Sequence, residues 1–244
     1  PLGQRKLSDR TLYALTSLKE KGVLLAIGTG RGVIAVPRFE GIDFDVIMAF
    51  NGSYSYAGKE VIYKNPLQRE DILQLLDNAK KKNRAMAIAN ETYMVTNGTD
   101  EDLERYFAFG HEEIRIVEDF EKRCENDEIY QVMMSLRASE YEEILKGTKK
   151  ALITAWWDRA VDIIPAGSGK VIAVNKILEH YGIAKEEAVA FGDGRNDIEM
   201  LEAVGTGIAM GNAKEEVKKA ADFVCKSAEE DGIYEYLLSI GMID

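Results

Sequence analysis

Apolar and polar positions recur along this chain with two periods, and each change of period marks a new element. The opening is helical. Leu12, Leu15 and Leu18 fall on one face, Ser8 stands where an N-cap belongs, and Gly22 follows as the stop. Residues 23–27 (VLLAI) are a short continuous apolar run, the pattern of a strand covered on both faces. Gly28-Thr29-Gly30-Arg31 turns out of it toward a short helix that Pro37 interrupts. Residues 46–50 (VIMAF) repeat the buried-strand pattern and end at Asn51-Gly52. Residues 54–56 and 60–63, separated by Ala57-Gly58-Lys59, read as a hairpin.

Pro66 opens a different texture. From there to about residue 163 the charge density rises, an amphipathic helix covers 70–82, and strands with alternating polarity such as 129–136 are expected. The earlier pattern then resumes with a helix over 171–181, a strand over 188–191 and a helix over 197–203. A strand over 207–210, a helix over 213–221 and a strand over 223–224 follow. Strands alternating with helices predict an α/β fold: a doubly wound, Rossmann-like parallel sheet. Its core is expected from residues 1–65 and 164–244, with residues 66–163 forming an inserted α+β domain.

Composition narrows the function classes. The 244 residues carry 31 Lys+Arg against 42 Asp+Glu, a net charge of −11. That balance argues against a nucleic-acid footprint and a polybasic membrane surface. No apolar run is long enough to span a membrane. Cys124 and Cys225 cannot build a disulfide framework, and His111 and His180 leave little room for histidine-rich metal chemistry. All four are read as structural, and a reducing, cytoplasmic setting is expected. The insert carries 14 basic against 21 acidic residues, so any surface that attracts anions there must be local.

The strongest chemical signal is AVAFGDGRNDIEML, residues 188–201. An apolar strand delivers Asp193 to a glycine-rich turn, and Asp197 opens the next helix. Two carboxylates at that spacing suit a hard cation such as Mg²⁺, and Asn196 is placed to donate to an anion. Equally, Asp193 and Asn196 could simply cap a helix. Thr29 and Gly30, with the amides that follow, can form a small phosphate cradle or a plain strand-to-helix turn. Lys170 precedes a helix and can neutralise phosphoryl charge or lie solvated on the surface. Ile164 and Val171 exclude a Walker A loop. Asn51-Gly52 fits a turn dipeptide as well as a binding role. Trp156-Trp157 fits packing at the domain junction better than a sugar-stacking platform, and Met86, Met94, Met133 and Met134 read as core filling.

In this order and spacing, GTGR, the lysine after IIPAGSG, and GDGRND resemble the second, third and fourth motifs of the haloacid dehalogenase superfamily. The NGSYSY segment, the insert and the ending AKEEVKKAADFV resemble its Cof-like sugar-phosphatase branch. The resemblance implies a Mg²⁺-dependent phosphomonoesterase acting on small phosphorylated metabolites, such as sugar phosphates, through an aspartyl-phosphate intermediate. It implies that Thr29, Gly30, Arg31 and Asn196 contact phosphate and that Lys170 holds nucleophile and phosphate charge together. Asp193 would ligate the metal, Asp197 would support it directly or through water, Asn51 would orient substrate, and residues 66–163 would be a cap.

The family's first motif, Asp-x-Asp-Gly-Thr, occurs nowhere in these 244 residues, which begin at Pro1. The nucleophile is therefore expected upstream of Pro1, and the chain alone is expected to be inactive. The alternative is a binding or regulatory relative without catalysis. A missing central strand would leave residues 23–27 and 188–191 parallel and about 9–10 Å apart, without direct hydrogen bonds.

Overall fold

The computed structural model describes residues 6–110, 112–155 and 157–244; His111 and Trp156 lie outside them. Helix α1 (Asp9–Glu20) begins where Ser8 Oγ accepts the Thr11 amide at 3.0 Å. Strand β1 (Ala26–Gly28) pairs in parallel with β2 (Val46–Ala49), and β3 (Tyr54–Ala57) and β4 (Glu60–Lys64) continue that sheet antiparallel as a hairpin.

The insert follows. It comprises α2 (Arg69–Lys81), β5 (Ala87–Ala89), β6 (Met94–Thr96), α3 (Glu101–Gly110), α4 (Phe120–Asn126), β7 (Gln131–Met134), α5 (Tyr141–Leu145), β8 (Ala151–Thr154) and β9 (Val161–Pro165). Its strands form one antiparallel sheet in the order β6-β5-β7-β9-β8. Period-two alternation gives this sheet two different faces. Ile88, Val95, Val132, Met134, Val161 and Ile163 pack beneath α2, α4 and α5. Ala89, Met94, Gln131, Met133, Thr154 and Asp162 point the other way and line a cavity.

Helix α6 (Lys170–Tyr181) returns the chain to the core. It is followed by β10 (Val189–Gly192), α7 (Ile198–Ala203), β11 (Thr206–Ala209), α8 (Glu215–Ala220), β12 (Phe223–Val224) and α9 (Gly232–Ser239). Strands β10, β11 and β12 are all parallel. Ala173 and Ile177 of α6 pack on Val46 and Met48. Helices α1 and α9 meet around Ala14, Leu18, Leu25 and Leu237, and α7 and α8 cover β11. This is the expected doubly wound α/β core with an α+β insertion. The two crossings between core and insert are tied together, since Asn65 Nδ2 donates to Ser168 Oγ at 2.9 Å and to Ala166 O at 3.3 Å.

Several elements are shorter than the apolar runs predict. The first strand begins at Ala26 rather than Val23, because the Leu25 amide donates to the Asp45 carboxylate at 2.9 Å instead of joining a ladder. Residues 129–136 contribute only four strand residues. Of the two strands expected to be covered on both faces, β2 is buried or half-buried throughout, whereas β1 is not, its Ala26 being exposed. Strands β1 and β10 belong to separate sheets and, among the described residues, do not pair with each other.

Candidate functional site

The C-terminal ends of β1, β2 and β10 bring the motif residues together. After β1, Thr29 Oγ1 accepts the Arg31 amide at 3.1 Å, and the Thr29 amide donates to Met48 O at 2.8 Å, which ties this turn to β2. After β2, Phe50 and Asn51 take left-handed backbone (φ 51° and 54°), and the Asn51 amide donates to Thr29 O at 3.0 Å. Gly30 lets the Asn51 side chain approach: a Cβ there would stand 3.1 Å from Asn51 Oδ1. That same oxygen accepts from Asn196 Nδ2 at 2.9 Å, so the second and fourth motifs meet through Asn51.

Lys170 is buried at the start of α6, against the surface alternative. Its chain crosses over Gly28, and Nζ lies 2.5 Å from Asp197 Oδ1. Asp197, also buried, accepts with Oδ2 from the amides of Asp193 (3.1 Å) and Gly194 (2.9 Å). One carboxylate thus braces the glycine-rich turn and holds the lysine. Gly192 makes room for it, since a Cβ there would fall 2.6 Å from Asp197 Cβ. Asp193 is exposed, lines the cavity, and its Oδ2 accepts from Asn212 Nδ2 at 3.0 Å. Main chain makes the tightest approach of α6 to the Asn51 loop: Gly52 (φ 89°) would place a Cβ 2.4 Å from Gly169 O.

Arg31 faces the insert. Its Nη1 donates to Gly110 O at 2.9 Å and stands 3.5 Å from Glu112 Oε1. Burial raises the Glu112 carboxyl above its usual range, an effect that the Arg31 charge opposes. Among the described residues no group of three or more His, Cys, Asp or Glu gathers into a metal cluster.

A cavity of about 860 Å³ lies between these turns and the insert's open sheet face. Four of its polar lining residues, Tyr106, Glu112, Gln131 and Asp162, escaped the sequence reading. Tyr106 Oη donates to Asp162 Oδ1. Burial pushes the Asp162 carboxyl up to about 7, partly offset by hydrogen bonds from Tyr106 and Gln131. The signal available was a charged residue inside the apolar run VDII and a glutamine opening QVMM. Trp157 lines the same cavity, edge-on to Phe109 with centroids 5.1 Å apart, while Met86 and Met134 are buried in the insert's core.

The model of the haloacid dehalogenase-like hydrolases matches residues 3–237. YkrA of Bacillus subtilis, provisionally named a phosphatase, is 30% identical over 98% of this chain and 93% of its own. The 5-amino-6-(5-phospho-D-ribitylamino)uracil phosphatase YitU of the same organism is 26% identical over 96% of this chain and 90% of its own. A solved sugar phosphatase of haloacid dehalogenase subclass IIB superposes with TM-score 0.84 at 31% identity, covering 98% of this chain and 93% of that one. No helix among the described residues is long and apolar enough to cross a membrane.

Proposed function

The chain belongs to the haloacid dehalogenase-like hydrolases, in their Cof-like branch, and from that premise we propose that it is a Mg²⁺-dependent phosphomonoesterase for small phosphorylated metabolites. The observation that carries the reading is the buried Lys170–Asp197 pair, set beside Asp193 where the core strands end. Phosphoryl transfer asks mainly for positioning and charge neutralisation. Lys170 has three donors and gives one to Asp197, leaving the others for phosphoryl oxygens. Thr29, Gly30 and Asn196 hold and orient the phosphate, and Asn51 locks their turns together. Residues 66–163 act as the cap, and the leaving group occupies the cavity beneath their sheet.

The acidic residues fit Mg²⁺, which takes one or two carboxylates and completes its shell with water and substrate oxygens. Asp193 would ligate it, and Asp197, already engaged with Lys170 and the turn amides, would act through water. When bound, the ion supplies charge stabilisation at the phosphoryl oxygens.

A carboxylate nucleophile would divide the hydrolysis into two easier steps. The alternative reading is a phosphate-ester binding protein without turnover. Release of phosphate from p-nitrophenyl phosphate, by protein made from the complete reading frame, decides between them. Mg²⁺-dependent turnover supports the phosphatase, and binding of the ester without turnover supports the alternative.

A further inference from the structure

Backbone strain concentrates where β2 runs into the Asn51 loop. Phe50 and Asn51 both take left-handed backbone (φ 51° and 54°). An asparagine tolerates that conformation, but a bulky aromatic residue rarely adopts it, and such outliers persist only where their surroundings hold them. The Phe50 amide donates to Arg31 O at 2.9 Å and the Asn51 amide to Thr29 O at 3.0 Å, so the strained pair ties β2 to the Thr29 turn. The Phe50 ring is fully buried. It occupies space that Gly32 leaves open, since a Cβ there would stand 2.8 Å from Phe50 Cε1. It also stacks on Tyr130 of the insert, with centroids 5.6 Å apart and planes at 21°.

Tyr130 is itself held from several directions. Its amide donates to Ala89 O at 3.0 Å, its ring meets Tyr54 edge-on with centroids 5.0 Å apart, and its Oη donates to Glu128 Oε2 at 2.8 Å. Glu128 pairs in turn with Lys64 at the end of β4, 2.9 Å away. Tyr130 does not appear among the described residues that line the cavity.

We propose that Tyr130 is a positioning residue for the phosphate site: by stacking on Phe50 it keeps the Phe50–Asn51 backbone left-handed, and through that backbone it sets where Asn51 meets Thr29 and Asn196. This rests on the reading of the core as a phosphomonoester site. Freed from the ring contact, Phe50 would relax toward negative φ, and rotation there would swing the Asn51 side chain. Its Oδ1 would then leave Asn196 Nδ2, now 2.9 Å away, and the Thr29 turn would lose the Asn51 amide. Tyr130 thus acts through Phe50 and Asn51, without touching the phosphate.

The test is deuterium exchange of backbone amides, with Mg²⁺-dependent turnover of p-nitrophenyl phosphate measured in parallel, on protein from the complete reading frame. Tyr130→Leu, which keeps apolar bulk without the ring, should speed exchange at Phe50 and Asn51 about tenfold and leave the amides of β5 and β7 as slow as before. It should lower kcat by about the same factor, the effect of a slightly misplaced reacting geometry. Tyr130→Phe, which keeps the ring, should behave as wild type in both measurements. Phe50→Leu removes the same contact from the core side and provides a second variant should the first not fold. The double variant should be no worse than the more affected single one, because both act on one contact. Local loss of protection in a protein that shows no turnover would uphold the positioning role while the phosphatase reading falls. Four results would overturn the proposal: slow exchange at Phe50 and Asn51 in Tyr130→Leu, equal quickening through β5 and β7, unchanged kcat in an active protein, or losses that add in the double variant.

Discussion

Lys170 Nζ and Asp197 Oδ1 meet at 2.5 Å in an ion pair whose two side chains are each 7% exposed. The sequence suggested a lysine acting by charge alone. Burial adds a second role, because removing one member of such a pair strands the other. Lys170→Met should lower turnover about a hundredfold, as expected for loss of one transition-state charge contact. It should also cost about 3–5 kcal/mol of stability. The double variant Lys170→Met/Asp197→Asn should be the more stable in urea denaturation. Additive losses would show that the two side chains are not coupled.

Gly192 tests the placement of that pair from the other side. An alanine there would bring Cβ to 2.6 Å from Asp197 Cβ and 2.9 Å from its Cγ. Asp197 would have to move and would draw Lys170 with it. Gly192→Ala should retain wild-type helix content by circular dichroism while phosphate release falls about a hundredfold, the scale of a misplaced reacting geometry. Full activity would mean that the turn can yield without disturbing the site.

Asp162 makes stability depend on pH. Its carboxyl, raised to about 7 from an ordinary 3.8, keeps in the folded chain a proton that the unfolded chain releases. The neighbours facing it are Tyr106, Gln131, Asn51 and Glu112, and Glu112 is shifted in the same direction. Stability from this source is fully present below about pH 4 and falls as pH rises toward 7, by up to about 1.4 kcal/mol per pH unit. Above that range it stays constant. Asp162→Asn should lose this slope, so its stability relative to wild type should rise between pH 5 and 7 and then level off. Parallel denaturation profiles across that range would refute the assignment.

Metal dependence is the fourth expectation. Chelation should abolish phosphate release and Mg²⁺ should restore it. Ca²⁺ should not, because its larger and looser shell suits the site less well than fixed octahedral geometry. Asp193→Asn should raise the Mg²⁺ concentration needed for half-maximal rate. Equal rates with Ca²⁺ would contradict the proposal.

The order of elements could be read from the sequence because buried core strands and amphipathic helices leave clear periodic signatures. Strand ends were less legible, since tertiary contacts set them. Asp45, 20 positions away, determines where β1 begins by capturing the Leu25 amide. Thr29, Lys170 and Asp193 stand out because glycine-marked turns hold or immediately precede them, and the structure brings these turns to one end of the core strands. The insert's side of the cavity could not be read that way. Gln131 and Asp162 occupy ordinary strand positions, and only the pairing of β7 with β9 brings them to one face. Arg31, which lines the cavity beside Gly30, also bonds Gly110 and pairs with Glu112, partners that no local pattern reveals.

Gly52 and Gly169 meet through peptide units, with no side chain between them. The separation of the Asn51 loop from the lysine-bearing helix is therefore a van der Waals contact between main chains, which any side chain at Gly52 would push apart. The spacing between the two turns is thus encoded by the lack of a side chain at position 52.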